Sequence, residues 1–188
     1  QARGAAATIA VVDRVGNVLA VFRMTGAAAN VTITSGRGVT GGLEDVSVLP
    51  AELAAISKAV TGAYLSSEGN AFSTRTASQI VQENFNPGEI GSPGGPLFGV
   101  QFSQLSCSDL VRRSADGSIG PKRSPLGLAA DPGGLPLYKS GTVVGGIGVI
   151  ADATYSLDAN VADVDTDNDE LIAIAGARGF DAQIGRAH

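Results

Sequence analysis

The run Thr142–Ile150, TVVGGIGVI, is the feature that most restricts what this chain can fold into. It is apolar enough for a buried strand, yet three of its nine residues are glycine. Glycine within a strand costs backbone entropy and contributes no packing, so it persists where something approaches closely: another backbone, a packed helix or a ligand. Just upstream, Pro132, Gly133 and Gly134 break any preceding element, and LPLY (135–138) reads as a second short strand. Lys139, Ser140 and Gly141 supply the turn between the two strands, so the segment is a glycine-punctuated hairpin.

A second hairpin opens the chain. TIAVVD (8–13) is almost wholly apolar, which suits a strand buried on both faces, and Val15, Gly16 and Asn17 turn the chain into VLAVFRM (18–24). Between the hairpins, Pro50 and Ala51 start a helix with Glu52 in its first turn, where a carboxylate complements the helix dipole. That helix runs to about Ser66, with Leu53, Ile56, Val60 and Ala63 or Tyr64 as its apolar face. Thr74 can cap a second helix, TRTASQIVQENF, which must stop before Asn86–Pro87. NDELIAIAGARGF closes the chain as a helix capped by Asn168 or Asp169.

Two stretches interrupt this pattern. Residues 25–50 are rich in Gly, Ala and Thr and read as ordered surface loop, in which VTIT can add a short edge strand. Residues 86–132 hold six of the eight prolines. They also carry the strand-like LFGVQFSQL, whose aromatics and leucines a disordered linker would lack, so a structured excursion is expected.

Four segments resemble the GlcG/HbpS-like haem-binding family, also met as the C-terminal domain of PduO-type proteins. They are the VVDRVGNVLAVFRMTGA hairpin, the AxxKAxTxA helix around Lys58, the GGLPLYKSGTVVGGIGV hairpin and the ExxAxAG start of the last helix, in the family's order. The resemblance implies a single α/β (α+β) domain: an antiparallel sheet of about five strands flanked by helices, with the two insertions above. Relative to the family the chain lacks the N-terminal helix, and QARGAAA looks like the tail of that helix. Processed ends and a fragment of a larger protein both fit. The resemblance further implies haem as ligand, and members bind haem, act as sensory accessories or have no assigned role. The family's axial histidine lies in the helix that is missing here. The remaining candidates for iron are Met24, Cys107, Tyr64, Tyr138, Tyr155 and His188, or a group from another segment or subunit.

Lys58 is the most informative charged residue. It sits near the apolar stripe of its helix, where it can hold a ligand carboxylate or a haem propionate, or else pair with Asp13 or Glu52. A pocket built from shared segments would place Lys58 opposite Gly133, Gly134, Leu135 and Pro136, where glycine lets backbone approach a ligand. Asp163, Asp165, Asp167 and Asp169 alternate, a pattern of hard oxygen donors that suits calcium. Read as an EF-hand loop from Asp163, however, the run has Asn168 where glycine is needed and Ile174 where glutamate is needed. The alternative is a helix N-terminus decorated with negative charge.

Composition narrows the function. The net charge of −5 and a pI near 4.8 argue against nucleic-acid binding, and no apolar stretch is long enough to span a membrane. The single histidine, His188, ends the chain, so no interior Ser–His or Cys–His catalytic pair or His/Cys zinc site can be placed. Glycine- and alanine-rich packing surfaces point to a homo-oligomer or a larger assembly, and the location reading leans to periplasm or cell exterior. Three functions stay open: a non-catalytic haem or tetrapyrrole protein for capture, sensing or redox protection; an interaction subunit without small ligand; and an enzyme acting on a small carboxylate.

Overall fold

The computed structural model describes residues 4–36, 38, 40–81, 93–100, 121–158, 160 and 164–182. Seven strands and three helices are described: β1 Thr8–Asp13, β2 Val18–Arg23, β3 Asn30–Ile33, β4 Leu49–Pro50, α1 Ala51–Leu65, α2 Thr74–Val81, β5 Gly134–Lys139, β6 Thr142–Ile150, β7 Thr154–Tyr155 and α3 Asn168–Gly176. The main sheet has the order β2-β1-β6-β5 and is antiparallel throughout. The fold is therefore α+β, with both sequence-legible hairpins in one four-stranded sheet. The VTIT segment does form a strand, but in a separate small sheet, β4-β3-β7, where β3 runs antiparallel to β4 and parallel to β7.

Both hairpin turns follow from backbone chemistry. Ser140 and Gly141 both take positive φ, 52° and 84°, as a two-residue turn matching the right-handed strand twist requires. In the first turn Gly16 takes φ 85°, and the Asp13 carboxylate accepts from the amides of Val15 and Asn17 and from the Asn17 side chain.

Helix α1 lies across one face of the main sheet, against β1, β5 and β6, and the β6 glycines explain how closely. A Cβ at Gly148 would overlap the Ala55 carbonyl oxygen, and one at Gly146 would overlap that of Ala59. The helix answers in kind: a Cβ at Gly62 would stand 2.6 Å from the Leu135 carbonyl carbon. Helix and sheet therefore meet backbone to backbone. The face of α1 turned inward is the small-residue one, with Ala51, Ala54, Ala55, Ser57, Ala59, Val60, Thr61 and Ala63 all buried. This corrects the expected stripe, since Leu53 and Ile56 are only half-buried and a glycine-lined sheet selects the alanines. Ser57 and Thr61 do not lie idle in that interface: their hydroxyls accept from the amides of Leu126 (3.0 Å) and Ala129 (2.7 Å).

Two caps differ from expectation. Ser73 rather than Thr74 meets the first turn of α2, accepting from the Thr76 amide, because the Thr74 hydroxyl accepts from the Gly134 amide at 3.0 Å. Asp167, not Asn168 or Asp169, caps α3 by accepting from the Glu170 amide. Helix α3 packs on the other face of the main sheet, over β5 and β6, where Leu137, Ile147, Val149, Ala173 and Ala177 form a second cluster.

Candidate functional site

Lys58 points from the middle of α1 into the core and is fully buried. Its ammonium donates to the carbonyls of Pro132 (2.6 Å) and Val149 (2.8 Å) and to Asp169 Oδ2 (2.7 Å). Asp131 Oδ2 lies 2.5 Å from the same nitrogen, a second buried ion pair. The cluster joins three separated pieces of chain: α1, the loop before β5 and the first turn of α3. The partners are thus Asp131 and Asp169 rather than Asp13 or Glu52. Glu52 instead faces Arg23 at 3.6 Å, and Asp13 holds the first hairpin turn.

Each carboxylate is fixed by further donors. Asp131 Oδ1 accepts from the Ser156 amide (3.0 Å) and hydroxyl (2.9 Å). Asp169 Oδ1 accepts from the Ala151 amide at 2.6 Å. Burial alone would depress the Lys58 pKa, but the two carboxylates outweigh it and hold the amine above its ordinary value. With two acids and one base buried together, one acid bears the excess. Desolvation pushes Asp169 up to about 7, against the pull of Lys58 and with the Asp152 and Asp131 charges adding to the rise.

The segments that the sequence placed around Lys58 do come together, and they are packed against protein. A Cβ at Gly133 would stand 2.6 Å from Asp169 Cβ, and one at Gly134 would stand 2.5 Å from the Lys58 carbonyl oxygen. Gly133 also takes φ 108°, so both close approach and backbone conformation demand glycine there. Leu135 and Pro136 turn instead to a surface recess of about 310 Å³ shared with Ser73, Thr76, Ile174 and Asp181. Met24 is half-buried against the α3-side cluster. Tyr64 has its hydroxyl 2.6 Å from the Lys122 carbonyl and 2.9 Å from that of Val15, and desolvation pushes its pKa up to about 12. Cys107 and His188 lie outside the described residues, as does Asp163.

The alternating aspartates diverge. Asp165 pairs with Arg75 at 2.8 Å, Asp167 caps α3 and Asp169 enters the core. Arg75 also pairs with Glu170 at 3.1 Å and with Asp158, so it gathers the acidic stretch before α3 against the start of α2. Among the described residues no group of three or more His, Cys, Asp or Glu side chains is placed to hold a metal ion.

A different feature lies on the α3 side of the main sheet. Helix α3 covers β5 and β6 but leaves the β1–β2 half open. Phe22, opposite Ile9, and Leu19 are 64% and 63% exposed. Beside them Val11, Leu19, Leu137, Val144, Ile147 and Phe180 line an apolar recess of about 300 Å³. Sequence reasoning passed over this recess, because a strand pattern shows which residues are apolar and not which face a short helix leaves bare. It also passed over Asp131 and Asp169 as partners of Lys58. Their one sequence signal is that each acid adjoins a segment of the glycine hairpin or the last helix.

No family model matches the chain, and no curated protein matches it. Among solved structures, the crystal structure of Klebsiella pneumoniae protein ORFY, described as family-model DUF336, is similar with a TM-score of 0.47 and 19% identity, over 95% of this chain and 77% of that one. A likeness at that level decides nothing about this chain, whose fold is defined by its own strands and helices. No helix among the described residues is long and apolar enough to cross a membrane.

Proposed function

We propose that this chain is a non-catalytic binding module that takes a haem or similar tetrapyrrole on the apolar, α3-side face of its main sheet. The observation that carries the proposal is the recess between Val11, Leu19, Leu137, Val144, Ile147 and Phe180, flanked by exposed Phe22. Ligand sites are mostly apolar concavities with few polar groups, and a flat hydrophobic macrocycle suits such a wall. The family resemblance read from the sequence supplies the choice of tetrapyrrole. Lys58 plays no direct part in this reading, because a propionate would have to displace two carboxylates already held by Ser156 and Ala151. Calcium is not part of the proposal either, since Asp165, Asp167 and Asp169 each serve a different partner.

The axial group would come from outside the described residues, from another copy, or from Met24 at the edge of the same face. Titrating haemin into the wild type and into Leu19→Glu and Val144→Glu variants tests the site. The proposal expects a saturable Soret shift in the wild type that both variants lose. Absence of a specific shift in the wild type removes the tetrapyrrole reading.

A second reading, an interaction subunit that self-associates, is supported by a separate observation: β2 is an edge strand with Val18, Leu19, Val21 and Phe22 all exposed. An uncovered apolar edge invites another chain. Light scattering in the absence of haemin tests it, and a monodisperse monomer at micromolar concentration removes it.

A further inference from the structure

We propose that Lys58 and Asp131 become joined by an intramolecular isopeptide bond, with Asp169 as the proton relay. The proposal is independent of what the sheet face binds.

A lysine amine attacks a carboxyl carbon when it is held against it, stripped of water, and relieved of a proton by a neighbouring base. The first two conditions meet in this cluster, and Asp169 is placed to serve the third. Lys58 is fully buried and Asp131 nearly so, with Nζ 2.5 Å from Oδ2. The amine is anchored by the Pro132 and Val149 carbonyls, so its approach is fixed by backbone on two sides. Asp169 Oδ2 is 2.7 Å from the same nitrogen, and its burial raises its proton affinity into the range a relay needs.

The carboxyl group of Asp131 is also unequally dressed. Oδ1 receives two hydrogen bonds, from the Ser156 amide and hydroxyl, whereas Oδ2 faces only the Lys58 ammonium. Donors gathered on one oxygen polarise the carbonyl and stabilise the negative charge that develops there during attack, as an oxyanion hole does. Oδ2, which takes no donor from the surrounding backbone, is the oxygen placed to leave.

The step balances. The Lys58 ammonium passes a proton to Asp169, and the neutral Nζ forms a bond to Asp131 Cγ. Asp131 Oδ2 then takes this proton and a second from Nζ, relayed by Asp169, and departs as water. Nζ keeps one hydrogen as the amide N–H, Oδ1 becomes the amide oxygen, and Asp169 returns to its starting state. One positive and one negative charge disappear together from the core, and neither a metal nor a redox partner takes part. The bond would tie α1 to the loop that leads into the glycine hairpin.

Intact mass of the full chain tests this directly. The expected mass is lower than the sequence mass by one water. A tryptic digest should show no cleavage after Lys58 and a branched peptide linking the segments around residues 58 and 131. Asp131→Asn should close the same bond with loss of ammonia instead of water, and Asp169→Asn, lacking the relay, should keep the full sequence mass. A wild-type chain at the full sequence mass that trypsin cleaves after Lys58 overturns the proposal. So does a water loss mapped to any other pair of residues.

Discussion

The two faces of the main sheet are built on opposite principles. On the α1 side the sheet offers glycine and the helix offers alanine, so the two backbones touch and water has no space to enter. On the α3 side the side chains are larger, and a nine-residue helix buries Leu137 and Ile147 but leaves Leu19 and Phe22 exposed. Side-chain size and burial therefore run opposite to the usual association. The smallest residues form the tightest layer because their lack of volume lets the backbones approach, while Leu19 and Phe22, among the largest, are left in solvent. A chain that packs one face this closely gains rigidity there and leaves its other face available for contact.

The largest expected effect comes from putting volume into the tight face. Gly148→Val would drive its branched side chain into the Ala55 carbonyl, which the helix backbone cannot relieve by a rotamer change. The loss should exceed about 4 kcal/mol, a range reached only by severe core disruption, and urea unfolding or outright loss of folded protein would show it. An unfolding midpoint close to wild type would mean that α1 can lift away, and the contrast between faces would fall.

Next in size, measured against a chain in which Lys58 and Asp131 are still an ion pair, is removal of the buried cation. Lys58→Met leaves Asp131 and Asp169 facing each other without a counter-charge, a loss of about 3–5 kcal/mol by analogy with broken buried pairs. Denaturant titration of Lys58→Met beside the double variant Lys58→Met/Asp131→Leu would sharpen the point. The double variant should recover part of the stability, since one unpaired carboxylate is gone. No recovery would show that the lysine stem, rather than charge, holds α1 to the loop.

The same cluster, while Lys58 and Asp131 are still an ion pair, sets a pH dependence. Asp169 titrates in the folded chain at about 7, above its ordinary 3.8, so the folded state binds that proton more tightly than the unfolded one. Its contribution to stability is complete below about 3.8 and is lost as pH rises to about 7, with a slope of at most about 1.4 kcal/mol per pH unit. The raised pKa of Lys58 acts only above that amine's ordinary 10.5, outside this window. Melting curves from pH 4 to pH 8 should fall with pH in the wild type and flatten in Asp169→Asn. A wild-type curve that rises through this interval would place the proton elsewhere.

The smallest effect on stability is expected on the open face. Phe22→Ser should change the unfolding free energy by no more than about 0.5 kcal/mol, because an exposed side chain has little burial to lose. It should nevertheless shift the scattering mass of the protein toward monomer. A strongly destabilised variant would show that Phe22 is covered in the folded chain, and the two faces would then be alike.

Both hairpins and the boundaries of α1 were legible because their signals are local. Pro50 and Glu52 mark a helix start whatever surrounds them, and Gly16 and Gly141 supply positive φ within their own turns. The reason for the β6 glycines was legible only as a choice between helix, backbone and ligand. The periodicity of α1 misled about its buried face, since Leu53 and Ile56 are more hydrophobic than Ala55 and Ala59 but cannot fit where a carbonyl must reach Gly146 and Gly148. The charged cluster was half legible: Lys58 near an apolar stripe announced a buried amine, but its acids stand 73 and 111 residues further along the chain.

The sequence by itself determined the turns, the strand and helix segments and the presence of one lysine beside the apolar stripe of α1, because each depends on the conformational limits of a few adjacent residues. Tertiary structure alone decided which acids meet that lysine, which face of the sheet stays open and why glycine occupies positions 146 and 148. Those outcomes depend on distances between segments far apart in the chain, and a distance of that kind is set by how backbones pack and by no local preference of the residues that end up in contact.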